Sequence, residues 1–259
     1  MKTSIHAQSR TFLCAHRCLG AALLAAALTL TPSGCAMKAA NRVKIEGADS
    51  VKLGALAVDI DLPRGSVEIF EDSTVKAPDV IILRTDGAGP GNLDKIESYI
   101  ACQLVPGDFG SVLRIVTADT ARGEAPPVLL KIRVPTCDGL RVRTGEGCVT
   151  AVGVGGTIDI ETASQARSTG FVNVETERAL NQSIRISTRS GDINVSMPAS
   201  SDLAATAQTE KGWAKLTAAT ARVVMGPTRS VRGLSATIGK GGSPMDLASA
   251  DGNIHVKVN

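Results

Sequence analysis

A glycine returns at a fixed interval through the second half of this chain. Gly170, Gly191, Gly212 and Gly233 stand 21 residues apart, and Gly252 follows after 19. A short apolar run at period two comes after each one. Val172 and Val174 follow Gly170, Ile193 and Val195 follow Gly191, and Ala214 and Leu216 follow Gly212. Ile254, Val256 and Val258 follow Gly252, while the Gly233 copy slips by one to Leu234, Ala236 and Ile238. Second runs lie midway between the glycines: Ile184 and Ile186, Leu203 to Ala207, Val223 to Met225, then Met245 and Leu247. Earlier copies start at Gly147 and Gly156. One such unit cannot bury its own apolar face, but stacked units share a continuous core, which is the logic of a solenoid. Glycine at each corner allows positive φ and close approach of the next coil. An antiparallel β-sandwich also spaces strands evenly, yet gives no reason for a 21-residue glycine interval. The expected fold is therefore all-β, a β-solenoid of short strands, with the antiparallel β-sandwich as the alternative.

The first half carries similar runs without the glycine clock. Val58 and Ile60 alternate with acids, Val67 and Ile69 follow Gly65, and further apolar runs occupy 80–83, 112–116 and 128–134. Their β-branched content and Gly, Pro or Asp boundaries mark strands. One segment differs. Leu93, Ile96, Ile100 and Leu104 are spaced by three and four, which predicts one short helix over 92–104 with Asn92 as its N-cap and Cys102 buried on it.

The N-terminus reads as a targeting signal. Lys2, Arg10 and Arg17 precede an apolar run over 19–30 that is too short to span a bilayer. Pro32-Ser33-Gly34-Cys35-Ala36 then resembles the bacterial lipobox, in which small residues precede a cysteine that is lipidated and becomes the new N-terminus. Pro32 stands where that pattern prefers leucine. The expected organisation is a lipoprotein signal over 1–34, a tether over 35–50 and a solenoid domain over 51–259. Lipid on Cys35 would hold the body at a membrane without a transmembrane helix. Without the signal, 25 cations face 25 carboxylates. That balance gives no electrostatic reason to bind nucleic acid, and the aromatic content of 2% supplies few stacking platforms. Cys102, Cys137 and Cys148 remain in an exported, disulfide-permissive setting. Cys137 and Cys148, flanking Asp138-Gly139, are the candidate disulfide pair.

Val128-Leu-Leu-Lys-Ile-Arg-Val-Pro135, Leu140-Arg-Val-Arg-Thr-Gly-Glu-Gly147, Ser187-Thr-Arg-Ser-Gly-Asp-Ile-Asn-Val195 and Leu247-Ala-Ser-Ala-Asp-Gly-Asn-Ile-His-Val256 carry a family likeness. They resemble the bacterial putative-adhesin family of β-helical domains of unknown function. In that family a strand ending in Val-Pro leads into successive Thr/Ser-x-Ser/Asn-Gly-x-Ile-x-Val units. The likeness covers residues 50 to 259. It implies an exported, often membrane-tethered, right-handed β-helix. It brings no catalytic residues.

Chemistry-bearing motifs are few. Gly153-Val-Gly155-Gly156 superficially resembles a phosphate loop but has no helix after it, so it reads as a corner. Asp86 to Gly91 is a loop without calcium-ligand spacing. Asp59 and Asp61 alternate on one strand face, as paired carboxylates of a β-helical polysaccharide lyase or glycosidase would, with a polar outer face as the simpler reading. His255 reads as a surface histidine on the last strand. If coils stack in register, Phe171, Asp192, Trp213, Leu234 and Asn253 form one outward line, and Asn173, Asn194, Lys215, Ala236 and His255 the next. Phe171 and Trp213 are then the candidate contact surface for a protein or glycan; the competing reading folds both rings over the core. No metal or cofactor is expected. The function expected is a lipid-anchored cell-envelope module, at the outer membrane and periplasmic or surface-exposed, serving adhesion or scaffolding without catalysis. A carbohydrate-active β-helix enzyme and an accessory or sensor subunit of an envelope signalling system are the alternatives.

Overall fold

The structure is a computed structural model that describes residues 41–48, 54–84, 99–108, 110–117, 127–163, 170–219 and 222–259. Strands come in pairs, one strand going to each of two sheets. The pairs are β2 (Leu56–Leu62) with β3 (Gly65–Glu71), β6 (Gly110–Thr117) with β7 (Val128–Val134), and β8 (Gly139–Thr144) with β9 (Val149–Val152). Next come β10 (Thr157–Thr162) with β11 (Val172–Glu175) and β12 (Ile184–Ser190) with β13 (Ile193–Met197). The last are β14 (Leu203–Thr209) with β15 (Ala214–Ala218) and β18 (Ser243–Asp251) with β19 (Ile254–Val258). The remaining strands are β1 (Asn41–Arg42), β4 (Asp79–Arg84), β5 (Ile100–Gly107), β16 (Val223–Arg229) and β17 (Gly233–Ile238).

The first sheet runs β1-β4-β7-β3-β9-β11-β13-β19-β15, and the second β16-β17-β14-β18-β12-β10-β8-β2-β6-β5. The seven paired coils lie parallel to one another in both sheets, which is the solenoid and not the sandwich. Their spatial order departs from chain order at both ends. The β6/β7 coil lies outside β2/β3. The final coil, β18/β19, slots between β12/β13 and β14/β15.

The core lies between the sheets as aliphatic rows in strict register. One row in the second sheet reads Ile115, Ile60, Val142, Ile160, Ile186, Leu247, Ala207, Leu234. Facing it, the first sheet contributes Ile132, Ile69, Ala151, Val174, Val195, Val256 and Leu216. All of these are buried except Leu216 on the outermost strand, which is half-buried. Fully burying each Val, Ile or Leu of these rows stabilises by roughly 1.5–3 kcal/mol.

One corner locks the register. Gly65, Gly147, Gly170, Gly191, Gly252 and Gly212 form a column in which each backbone lies on the glycine of the neighbouring coil. A Cβ on Gly191 would come 2.3 Å from the Gly170 carbonyl oxygen, and one on Gly212 would come 2.0 Å from that of Gly252. Beside the column runs a buried row of hydroxyls, Thr144, Thr162, Thr188, Ser249 and Thr209. Thr188 and Ser249 are 3.0 Å apart and both reach the Gly191 carbonyl, at 3.0 and 3.1 Å. Thr209 Oγ1 donates to the Gly252 carbonyl at 2.7 Å and accepts from the Gly212 amide at 3.0 Å. These hydroxyls satisfy backbone groups that the corner takes out of the ladder. Gly233 is not in the column. It opens β17, which runs antiparallel to β14, and a Cβ there would meet the Ala207 carbonyl at an ordinary 3.6 Å.

The ends are closed differently. At the near end, β4 and β5 pair antiparallel with β7 and β6. Residues 41–46, placed in the tether by the sequence, belong to the body. Asn41 and Arg42 pair with β4, and Glu46 exchanges backbone bonds with Cys102 (2.9 Å) and Leu104 (2.8 Å) on β5. Val43 and Ile45 pack on the core between them. At the far end, β16 and β17 extend only the second sheet, and Ala214, Leu216 and Val223 stay half-buried.

The expected helix is corrected. Residues 92–98 lie outside the described residues, and Ile100–Gly107 is strand β5. A spacing of four puts Ile100 and Leu104 on one face under either period. Cys102, buried between them, shows that the period is two. Among the described residues no helix is long and apolar enough to cross a membrane.

Gly191→Ala tests the corner. Gly191 has φ +132° and no room for a methyl. The substitution is expected to cost about 2 kcal/mol or more, lowering the melting temperature by roughly 4–8 °C in a circular-dichroism melt.

Candidate functional site

The outer faces of the two sheets differ in chemistry. On the second sheet, register places Arg114, Asp59, Arg141, Asp159, Arg185 and Asp246 side by side on six consecutive strands. Cations and carboxylates alternate along the whole row. Arg141 Nη1 lies 3.5 Å from Asp59, and Arg143, one step along β8, contacts Asp159 at 2.6 Å and Glu161 at 3.2 Å. Asp59 and Asp61, the sequence candidates for paired acid–base carboxylates, are therefore members of an ion ladder. Asp59 is flanked by Arg114 and Arg141, and Asp61 pairs across to Arg143. Opposite charges facing each other across strands contribute roughly 0.2–1 kcal/mol per pair and penalise a slipped register.

The first sheet carries the aromatic row. Stacking brings Phe171, Asp192, Asn253 and Trp213 into line at the glycine corner, in that order. The row keeps four of the five expected residues, in a different order. Asn253 precedes Trp213 because β19 is inserted before β15. Leu234, and Ala236 of the second expected line, are buried on β17 in the other sheet. Side chains staple the row. Asp192 Oδ1 accepts the Asn253 amide at 2.7 Å, and Asn253 Oδ1 accepts the Trp213 amide at 3.2 Å. Phe171 and Trp213 each keep 42% of their surface exposed. Three strand spacings, about 14 Å, separate them. The next line is Asn173, Asn194, His255, Lys215. His255 faces outward, its Nε2 3.1 Å from Thr217 Oγ1 and its ring edge-on to Trp213 at 6.2 Å.

Two clusters were not legible in advance. Arg178 reaches across three coils to Glu71 (2.8 Å), the Cys137 carbonyl (3.1 Å) and Asp138. Its guanidinium lies against Gly155, where a Cβ would sit 2.8 Å from it. This explains Gly153 to Gly156 as a corner: Val154 is buried, and the Gly155 amide donates to Cys137 at 2.8 Å. At the far end, Asp202 accepts the amides of Lys240 (2.7 Å) and Gly242 (2.9 Å). The Gly242 bond leads in holding its carboxyl below the usual range. Asp86 to Gly91 and Cys35 lie outside the described residues.

The disulfide expectation fails. No disulfide joins Cys137 to Cys148. The two cysteines flank the whole of strand β8 and not a turn. Six extended residues span roughly 20 Å, whereas bridged Cα atoms stand about 5.5 Å apart. Cys137 Sγ instead faces the Gly139 carbonyl at 3.5 Å.

A family profile, Toastrack DUF4097, matches residues 42–257. No curated protein matches the chain. Among solved structures, a putative cell adhesion protein from Clostridium sporogenes is similar at 12% identity and TM-score 0.46, over 85% of this chain and 99% of that one. A putative adhesin from Bacteroides fragilis is similar at 14% identity and TM-score 0.33, over 85% and 96%.

Burial pushes the thiols of Cys102 and Cys137 up to about 12, from an ordinary value of 9.0. In the folded chain both are expected to resist iodoacetamide near neutral pH and to react after unfolding, read by mass spectrometry. Between pH 9 and about 12 the unfolded chain ionises these thiols while the folded chain keeps them protonated. Their contribution to stability is thus full below pH 9 and falls as the pH rises. For the ion ladder, Arg141→Glu sets three carboxylates in a row. It is expected to destabilise by about 1 kcal/mol, less at high salt, read by urea titration. The profile match spans nearly all of the folded body, and the chain belongs to the Toastrack DUF4097 family.

Proposed function

We propose that this chain is a lipid-anchored module of the bacterial cell envelope that works by surface contact, in adhesion or scaffolding, without catalysis. The observation that carries the reading is the stapled outward row Phe171, Asp192, Asn253, Trp213. Two rings stand half-exposed on the outer face of one sheet, and side-chain bonds along the row hold the backbone at Asn253 and Trp213. Rigid aromatics cost little entropy on binding and are frequent binding hot spots. The lipobox-like segment ending in Cys35 supports the anchoring, and β1 begins only a few residues after it.

The test is photocrosslinking in living cells from a photoreactive residue at position 173, beside Phe171. A discrete adduct is expected, and Phe171→Ser with Trp213→Ala is expected to abolish it while the melting temperature stays within about 2 °C, as for surface changes below 0.5 kcal/mol. A larger fall in melting temperature would assign both rings to packing and overturn the contact role. For the anchor, Cys35→Ser is expected to remove metabolic palmitate labelling; labelling that survives the change overturns it.

A further inference from the structure

The far end of the stack has a composition that the net charge conceals. From Lys211 to Met245 there are six cations, Lys211, Lys215, Arg222, Arg229, Arg232 and Lys240, and no carboxylate. All six are exposed. They lie on or beside β15, β16 and β17, the outermost strands of this end. The nearest flanking carboxylates in sequence are Glu210 and Asp246, and Asp251 is drawn to Lys211 at 3.2 Å.

The same end gathers the exposed apolar surface. Of the five large apolar side chains exposed among the described residues, Trp213, Val224, Met225 and Val231 are here. Val231 is 75% exposed at the turn between β16 and β17, with Arg229 and Arg232 on either side. The turn is held and not loose. The Val231 carbonyl accepts the Ala214 amide at 2.8 Å, and the Arg232 carbonyl accepts the Thr209 amide at 2.8 Å. These bonds fix Val231 beside the Trp213 corner.

We infer that this end cap docks on an anionic lipid bilayer, with Val231 and Trp213 entering the interface and Lys211, Lys215, Arg229 and Arg232 facing the headgroups. Apolar tips ringed by cations suit an interface that is apolar below and anionic above. A second copy in the same pose is disfavoured, because it would set like-charged caps against each other. The inference names a partner for one end of the proposed contact surface and rests on that reading, but not on lipidation of Cys35. The chain enters the body at β1, at the opposite edge of the first sheet, eight strand spacings or about 38 Å away.

Trp213 is the only tryptophan in the chain, so its emission reports on this end alone. The full chain is mixed with phosphatidylcholine vesicles, with phosphatidylcholine–phosphatidylglycerol vesicles, and with soluble polyaspartate. The mixed vesicles are expected to blue-shift Trp213 emission, and brominated lipid to quench it. The shift should vanish at about 1 M salt, where the Debye length is about 3 Å. Val231→Asp and, separately, Arg229→Glu with Arg232→Glu are expected to reduce the Trp213 response to mixed vesicles by at least about tenfold with the melting temperature unchanged. Emission that ignores mixed vesicles overturns the inference, even if the chain sediments with them through its N-terminus. A response to polyaspartate without one to vesicles also overturns it, in favour of an acidic polymer. A surviving adduct from position 173 would then leave the contact reading standing without the lipid.

Discussion

Backbone contact at one corner governs this molecule. Six glycines lie one upon another at distances that exclude a Cβ, and buried hydroxyls bond the carbonyls left beside them. Once the corner positions are fixed, every residue on a coil is set opposite its equivalent on the next. Inside, this gives aliphatic rows, which stack well because like shapes interlock. Outside, strict stacking would be hazardous for charge, since a repeated carboxylate would form a row of like charges. The second sheet avoids this by alternating Asp and Arg from coil to coil at one register position. The corner and the ion ladder thus specify one register from opposite sides of the same sheet.

The period of the repeat was legible because it is a local property of each coil. The order of the coils in space was not. Five of the seven coils offer their neighbours a corner glycine and a buried hydroxyl at the same places, so adjacency in sequence says little about adjacency in the stack. Gly252 lies on Gly191 and Gly212 lies on Gly252, although Gly212 comes before Gly252 in the chain. The Gly233 copy slipped by one because it belongs to an antiparallel strand with no corner to make. Ser230 keeps the three-residue spacing to Gly233 that Thr188 has to Gly191 and Thr209 to Gly212, but it closes a turn within the cap. The helix expectation failed through a degeneracy between periods, and the disulfide expectation through taking the ends of a strand for the ends of a turn.

Candidate surface residues were legible to the extent that they depend on alternation. Phe171, Trp213 and His255 point outward because they alternate with Val172, Ala214 and Ile254, which point in. The interactions that set their surroundings join residues far apart in sequence and leave no local pattern. Arg178 finds Glu71 across 107 positions. The Asp59–Arg141 pair spans 82. Charge summed over the residues after the lipobox-like segment was the wrong quantity for the far end, because a balanced total hides the separation of an acid-free stretch.

The two ends of the stack meet a problem common to solenoids, namely that a terminal coil leaves its inner face and strand edge without a neighbour. The near end is closed with chain: antiparallel β4 and β5, and the strap from Asn41 to Glu46 bonded to both sheets. The far end receives only β16 and β17, both on one sheet, so β15 remains an edge with Ala214 and Leu216 half-buried behind it. Such an edge invites pairing with another chain. Cations gathered around it oppose docking of an identical edge by like-charge repulsion, while leaving the edge open to a surface of opposite sign. The charge that keeps this end from pairing with itself is thus also what selects the kind of partner it accepts.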